Sequence, residues 1–125
     1  MSKKTTSLVV WMDPRDCDPP HEVRKHERLE PLVYAFATEG FDKSRPALVG
    51  YILNGRIQLL SGTHRHAAAK KVGIQIPVTI WLGSQIEESW GVSLEEWRRI
   101  MEDIPVSDLE TVDLEYFREH GLVEK

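Results

Sequence analysis

The sequence predicts an α+β fold with a small mixed β-sheet, and three observations carry this prediction. Short runs of β-branched and aromatic residues mark four strands, and helical patterns lie between the first and second strands and between the third and fourth. The last third of the chain has a helical pattern. Because 125 residues is the length of one domain, we expect residues 1–83 to form a core on which residues 84–125 pack as an acidic helical extension.

The first half of the predicted core contains one strand, one loop and one helix. Residues 7–12 form the first predicted strand, and Asp13-Pro14 ends it. The segment that follows, up to residue 26, is rich in proline and charge, so we predict an irregular surface loop. The first helix is predicted to begin at Glu27 or Pro31 and to end at Glu39. Its core-facing residues are predicted to be Leu29, Leu32, Val33 and Phe36.

A hairpin and a strand–turn–helix unit form the second half of the core. Asn54-Gly55 is typical of a tight turn and joins the predicted strands 47–52 and 56–60. Ser61-Gly62-Thr63 then breaks the apolar run, and an alanine-rich helix follows from His64 to a stop at Gly73. Residues 76–82 are predicted to form the last strand.

Two helices are predicted in the extension. Ser93 and Glu96 have the spacing of a capping box and open the first of them. The second is predicted over residues 113–120. Four aromatic residues are predicted to cover the sheet or a partner surface, which includes a possible homodimer face: Trp90, Trp97, Tyr116 and Phe117.

Charge is unevenly distributed along the chain. Residues 29–83 carry six basic and three acidic residues, whereas residues 84–125 carry four basic and twelve acidic residues. A net charge of −4 with an acidic last third argues against duplex DNA as a partner, since DNA-binding proteins derive most of their affinity from neutralised phosphates. With no apolar run long enough to span a membrane, no secretory leader and a single Cys17, we expect a cytoplasmic protein.

The turn at residues 61–65 is the candidate binding site. Because a helix is predicted to start here, we expect the free N–H groups of its first turn to point toward any ligand bound at the turn. Gly62 allows close approach, Thr63 offers a hydroxyl group, and His64 and Arg65 add donors. An anion such as a phosphate group would fit this set. The alternative is an ordinary strand-to-helix connection whose polar residues only cap the helix.

The stretch LSGTHRHAAAKKVGIQIPVTIW resembles the signature of the ParB/sulfiredoxin-like superfamily, in which a strand leads to a G-x-[HR]-R box at a helix start. The segments LEPLVYAFATEGF and RPALVGYILNGRIQLL resemble the helix and hairpin that precede the box in that superfamily. The resemblance implies a ParB/sulfiredoxin-like fold and a nucleotide-phosphate site, which takes CTP, ATP or ADP in different branches. It therefore implies a nucleoside triphosphate or diphosphate, with Mg²⁺, as the ligand.

The box residues implied to hold the nucleotide are Ser61, Gly62, Thr63, His64 and Arg65, and His64 is also a candidate catalytic residue. The resemblance places a second phosphate-contacting loop at Lys43 and Arg45, although two cations in a loop are also typical of a solvated segment. In the loop before the first helix, Glu22 or Glu27 is predicted to act as a general base or a magnesium-linked group, although a solvated charged loop would have the same composition. The histidines of this loop lack metalloprotease spacing, so no metal-ligating set is predicted.

Departures from the superfamily pattern leave several functions open. Thr63 stands where sulfiredoxins keep a catalytic cysteine, which argues against sulfinic acid reduction, and Ser61 stands where serine kinases have an aspartate. The first hypothesis is a nucleotide-binding enzyme that hydrolyses or transfers phosphate, such as an NTPase or a small-molecule kinase. The second is a non-catalytic regulatory module of phage or mobile-element type. A ParB-like DNA nuclease is the third, and the charge balance argues against it.

Overall fold

The computed structural model describes residues 8–83, 91–119 and 121–122. Its strands are β1 (Leu8–Met12), β2 (Cys17–Asp18), β3 (Leu48–Leu53), β4 (Arg56–Leu59), β5 (Ile76–Trp81) and β6 (Glu110–Thr111). Its helices are α1 (Leu29–Glu39), α2 (Thr63–Val72), α3 (Leu94–Met101) and α4 (Leu114–Arg118), with 3₁₀ turns at Pro14–Asp16, His26–Arg28 and Val106–Asp108. None of the described helices is long and apolar enough to cross a lipid bilayer.

The six strands form one mixed sheet in the order β2-β4-β3-β5-β1-β6. Strand β3 pairs antiparallel with β4 and parallel with β5, and β1 pairs antiparallel with β5. Asn54 and Gly55 both have positive φ values, 54° and 78°, as the predicted hairpin turn requires. The predicted α+β fold with a small mixed sheet is confirmed.

Two short strands, β2 and β6, were not predicted from the sequence. Strand β2 lies in the segment expected to be irregular and pairs parallel with β4, while β6 pairs parallel with β1. The guanidinium of Arg56 holds β2 in place, since its Nη2 and Nε atoms donate to the Asp18 carboxylate at 3.0 and 3.1 Å. Two-residue strands show no periodicity, so distant pairing partners define them.

Helices α1 and α2 pack against each other. Phe36 of α1 is buried, and the other three predicted core-facing residues of this helix are partly buried against the same core. Helix α1 begins at Leu29, after the 3₁₀ turn, so Pro31 falls in its first turn, where the missing N–H has no intrahelical partner to lose.

The C-terminal residues that the structure describes share the hydrophobic core of residues 8–83. Their buried members are Trp97, Met101, Val106, Leu109, Phe117 and Leu122. The indole rings of Trp97 and Trp81 lie 5.4 Å apart, and the N–H groups of Val106 and Ser107 donate to the carbonyls of Arg45 and Lys43 at 2.9 and 3.0 Å.

The predicted division of the chain at residues 83 and 84 stays a prediction, because residues 84–90 lie outside the described ranges. The prediction for Trp90 and the last residue of the predicted final helix, His120, also lie outside them. Helix α3 begins with the predicted capping box between Ser93 and Glu96. In the part of the extension that the structure describes, β6 and a 3₁₀ turn separate these two short helices.

Candidate functional site

The backbone turn between β4 and α2 depends on Gly62. This residue is the N-cap of α2 and has a φ of 85°, in the left-handed region that residues other than glycine rarely adopt. A Cβ atom at this position would also lie 2.7 Å from the Cγ and Cδ2 atoms of Leu48. Glycine therefore lets the turn fold directly onto the sheet.

The first-turn residues of α2 line a cavity, and within the described ranges no acceptor bonds the N–H groups of Thr63, His64 or Arg65. The first amide of this helix with a partner is that of His66, which donates to the carbonyl of Gly62 at 2.7 Å. The cavity has a volume of about 500 Å³ and is called the α2 cavity below. Its lining residues are Pro20, His21, Leu60, Ser61, Gly62, Thr63, His64, Arg65 and Arg98.

Arg65 is held at the edge of the α2 cavity by its own packing. Its Nη1 donates to the carbonyl of Pro46 at 2.6 Å, and the guanidinium lies 5.6 Å from the centroid of the Phe41 ring. Its Nη2 lies 3.6 Å from the position that a Cβ of residue 62 would take. Burial, and secondarily the charge of Arg45, lowers the pKa of Arg65, which identifies a desolvated cation. No carboxylate of the described residues forms an ion pair with it.

Thr63 and His21 meet inside the cavity. The Thr63 hydroxyl lies 3.5 Å from His21 Nε2, while His21 Nδ1 lies 2.8 Å from the carbonyl of Glu22. Because a carbonyl only accepts hydrogen bonds, Nδ1 carries the proton of the neutral ring and Nε2 accepts the bond from the hydroxyl. The backbone of Glu22 thus orients the ring, and its carboxylate is not part of the cavity lining.

The two histidines of the box have different surroundings. His64 lines the α2 cavity, and its Nε2 is buried without a partner among the described residues. His66 is buried, and its Nε2 donates to the carbonyls of Pro14 and Cys17 at 2.7 and 3.2 Å. His66 therefore ties α2 to the segment around β2, while the buried Nε2 atom of His64 makes no such bond to the described residues.

Arg98 reaches the α2 cavity from α3, and its place there was not predicted from the sequence. Its guanidinium pairs with Glu95 at 3.8 Å and Glu102 at 3.4 Å on the same helix. The buried Trp97 next to it anchors α3 on the sheet. The i, i+3 and i, i+4 spacing signals the ion pairs, but nothing local signals that Arg98 lines the same cavity as the start of α2.

The structure assembles the predicted box residues but not the other predicted residues. Ser61, Gly62, Thr63, His64 and Arg65 all line the α2 cavity. Lys43 lies instead 5.8 Å from the ring of Trp11, and Arg45 is exposed beside this cavity's lining, close enough to influence Arg65. Glu22 and Glu27 are exposed and outside the lining. The predicted roles of these residues stay predictions.

A resident metal does not fit the described residues. They contain no group of three or more histidine, cysteine, aspartate or glutamate side chains placed to hold an ion. The α2 cavity has no carboxylate in its lining, whereas Mg²⁺ prefers oxygen ligands.

No protein-family model and no curated protein matches the sequence. Similar solved structures include a conserved hypothetical protein from Pyrococcus furiosus, with 21% identity over 59% of this chain and a TM-score of 0.49. Sulfiredoxin from Arabidopsis thaliana matches over 90% of this chain and 94% of its own, with 15% identity and a TM-score of 0.48.

The C-terminally truncated chromosome-partitioning protein ParB from Caulobacter crescentus, complexed with CTP-gamma-S, matches over 68% of this chain with 17% identity and a TM-score of 0.49. The chain spans 32% of the Pyrococcus chain and 54% of the ParB chain. Both groups named by the sequence resemblance are thus among the similar structures. The likeness concerns the fold and carries no conclusion about function.

Proposed function

We propose that this protein binds the phosphate groups of a nucleotide in the α2 cavity and hydrolyses or transfers a phosphate. One observation supports this most directly. In a chain with a net charge of −4, the described lining of this cavity has no aspartate or glutamate, but it has two arginines and three unpaired backbone amides. Such a set of donors attracts anions, and the positive end of the α2 dipole adds to the attraction.

The two arginines differ in what a phosphate must displace. Arg65 already uses Nη1 on the Pro46 carbonyl and has Nη2 close to Gly62, so it can donate without moving. Arg98 must leave Glu95 and Glu102, whose side chains are 68% and 47% exposed. Exposed ion pairs contribute only about 0–1 kcal/mol, so a phosphate dianion would compete well for Arg98.

Binding is tested by calorimetry and thermal shift with ATP, ADP, CTP and GTP in the presence of Mg²⁺. We expect one or more of these nucleotides to stabilise the protein, and Arg98→Gln to weaken its binding by about tenfold or more, since a charge-assisted hydrogen bond contributes ~1.5–3 kcal/mol. Arg99→Gln is the matched control, because Arg99 is exposed on the same helix and outside the cavity lining. Equal losses in both variants would contradict the proposed site.

Arg65 needs a milder substitution than alanine. Removal of its whole side chain would also remove the bond to Pro46 and the packing on Phe41, so lost binding could reflect a damaged fold. Arg65→Lys retains the charge but loses the planar fork. We expect it to weaken nucleotide binding while the far-ultraviolet circular dichroism spectrum stays unchanged.

A second candidate is a non-catalytic module that binds nucleotide for regulation. The position of Glu22 and Glu27, exposed and outside the cavity lining, favours this alternative, because neither predicted carboxylate lies at the candidate site. Release of nucleoside diphosphate or inorganic phosphate distinguishes the two candidates. Stabilisation by a nucleotide without any turnover or transfer would support the regulatory module.

A further inference from the structure

The Thr63 hydroxyl is placed differently from an ordinary helix cap. Gly62 is the N-cap of α2, and no side chain of the described residues caps the start of this helix. Thr63 is only 6% exposed, yet it lines the α2 cavity, and its one side-chain hydrogen bond among the described residues is to His21 Nε2. This hydroxyl therefore points to His21 rather than capping the helix.

The contacts of Thr63 match those of an activated nucleophile. Such a group needs a hydroxyl, a base within hydrogen-bond reach and a third group that orients the base. His21 Nε2 is the base at 3.5 Å, and the Glu22 carbonyl orients the ring from the other side at 2.8 Å. The first distance is at the outer limit of a hydrogen bond, as is common for catalytic pairs before the substrate binds.

The same cavity would bring a phosphoryl group to this hydroxyl. Thr63, His64 and Arg65, whose amides have no acceptor among the described residues, line this cavity together with Arg98 of α3. A bound triphosphate would hold its terminal phosphorus among these donors, which also neutralise charge that develops during transfer. Acceptor, base and charge-neutralising groups thus share one cavity.

We propose that Thr63 accepts the terminal phosphoryl group of a nucleoside triphosphate, with His21 as the general base. This inference rests on the nucleotide binding proposed above. A bond forms between Thr63 Oγ1 and the terminal phosphorus, while the bond from that phosphorus to the bridging oxygen breaks. The bridging oxygen keeps the electron pair and leaves with the nucleoside diphosphate. The Thr63 proton passes to His21 Nε2 and from there to solvent.

The product would be stabilised where it forms. Phosphothreonine at the first position of α2 places two negative charges at the positive end of the helix, next to amides without partners. Its oxygens would occupy the space that the terminal phosphate of the nucleotide needs. Modification of Thr63 would therefore block further nucleotide binding.

The experiment incubates the full chain with Mg²⁺ and ATP, CTP or GTP and follows the intact mass. We expect one nucleotide to add about 80 Da, the mass of one phosphoryl group, on an acid-stable site that peptide mapping locates at Thr63.

Thr63→Val should abolish the addition and Thr63→Ser should retain it. His21→Gln should slow it about 100-fold or more, the usual contribution of a general base. His26→Gln and Thr111→Val are the controls, since both parent residues are exposed and outside the cavity lining.

Thermal shift on the same samples separates the two proposals. Stabilisation by a nucleotide with no added mass overturns the inference about Thr63 and leaves nucleotide binding in place. Neither stabilisation nor added mass overturns both. An acid-labile phosphate on His21 or His64, or an addition that persists in Thr63→Val, assigns the chemistry to another residue. Thr63→Ser also shows whether loss in the valine variant comes from the missing hydroxyl rather than from misfolding.

Discussion

At the scale of single residues, the candidate site depends on the absence of a side chain at Gly62 as well as on its hydrogen-bond donors. Gly62 combines a left-handed backbone conformation with a side-chain position that Leu48 already occupies. Gly73 at the other end of α2 has nearly the same φ, 89°, but open space around it. A comparison of alanine substitutions at the two glycines therefore separates the free-energy cost of backbone strain from that of a steric clash.

We expect Gly62→Ala to lower the free energy of unfolding more than Gly73→Ala does. Both substitutions strain the backbone by about 1–2 kcal/mol, and only the first also forces Leu48 out of the core. Urea denaturation of the two variants measures the difference. Equal losses would show that Leu48 moves aside without cost.

Cys17 is a buried thiol. Its side chain is only 2% exposed, and burial raises the pKa of the thiol to about 12. At pH 8 the thiolate would then be present in roughly one molecule in ten thousand.

A thiol reagent such as 5,5′-dithiobis(2-nitrobenzoic acid) should therefore not modify the native protein at pH 8 on the timescale of minutes. It should react at once in concentrated urea, where the thiol is exposed and its pKa returns to the ordinary range. Rapid reaction of the native protein would contradict the burial of Cys17.

At the scale of secondary-structure elements, α3 contributes both to the core and to the candidate site. Trp97 on one side of this short helix is fully buried, and the neighbouring Arg98 lines the α2 cavity. The capping box at Ser93 fixes where the helix begins. Because Arg98 follows Trp97 directly on α3, the packing of Trp97 in the core also places Arg98 at the cavity.

We expect Trp97→Ala to lower the free energy of unfolding by about 3–5 kcal/mol, as is usual for a buried aromatic residue, and to weaken nucleotide binding by misplacing Arg98. Trp97→Phe should cost less, because the indole N–H has no partner among the described residues and its loss leaves no acceptor unpaired. Denaturation and calorimetry on the same variants test this. Full binding by a folded Trp97→Ala protein would show that α3 does not position Arg98.

At the scale of the whole molecule, charge separates small anions from nucleic acid as ligands. Basic groups converge at the α2 cavity, while residues 84–125 carry twelve acidic residues against four basic ones. A nucleotide needs only the cavity, whereas a duplex must lie along an extended surface. The proposed ligand is therefore small.

We expect no binding to a DNA duplex of about 30 base pairs at physiological salt, because the protein would neutralise too few of its phosphates. Fluorescence anisotropy with a labelled duplex measures this, and ATP or CTP in the same buffer provides the comparison. Tight binding of the duplex with a steep dependence on salt would contradict the assignment of a small ligand.

The sequence by itself determined the elements with strong local signals. The Asn54-Gly55 hairpin, the helix after Gly62, the capping box at Ser93 and the α+β class all follow from short-range preferences of the backbone, and the structure contains each of them. The grouping of residues 61–65 at a helix start was predictable for the same reason, since these five residues are adjacent in the chain.

Only the tertiary structure decided which distant residues join that turn. His21 and Arg98 reach the α2 cavity from segments 42 and 35 positions away from Thr63, and no local pattern encodes such a meeting. Strands β2 and β6 exist because they pair with β4 and β1, and Glu22 and Glu27 stay outside the cavity lining although they are close to His21 in sequence. Contacts of this kind form when the sheet and the core assemble, because burial and strand pairing depend on the whole fold.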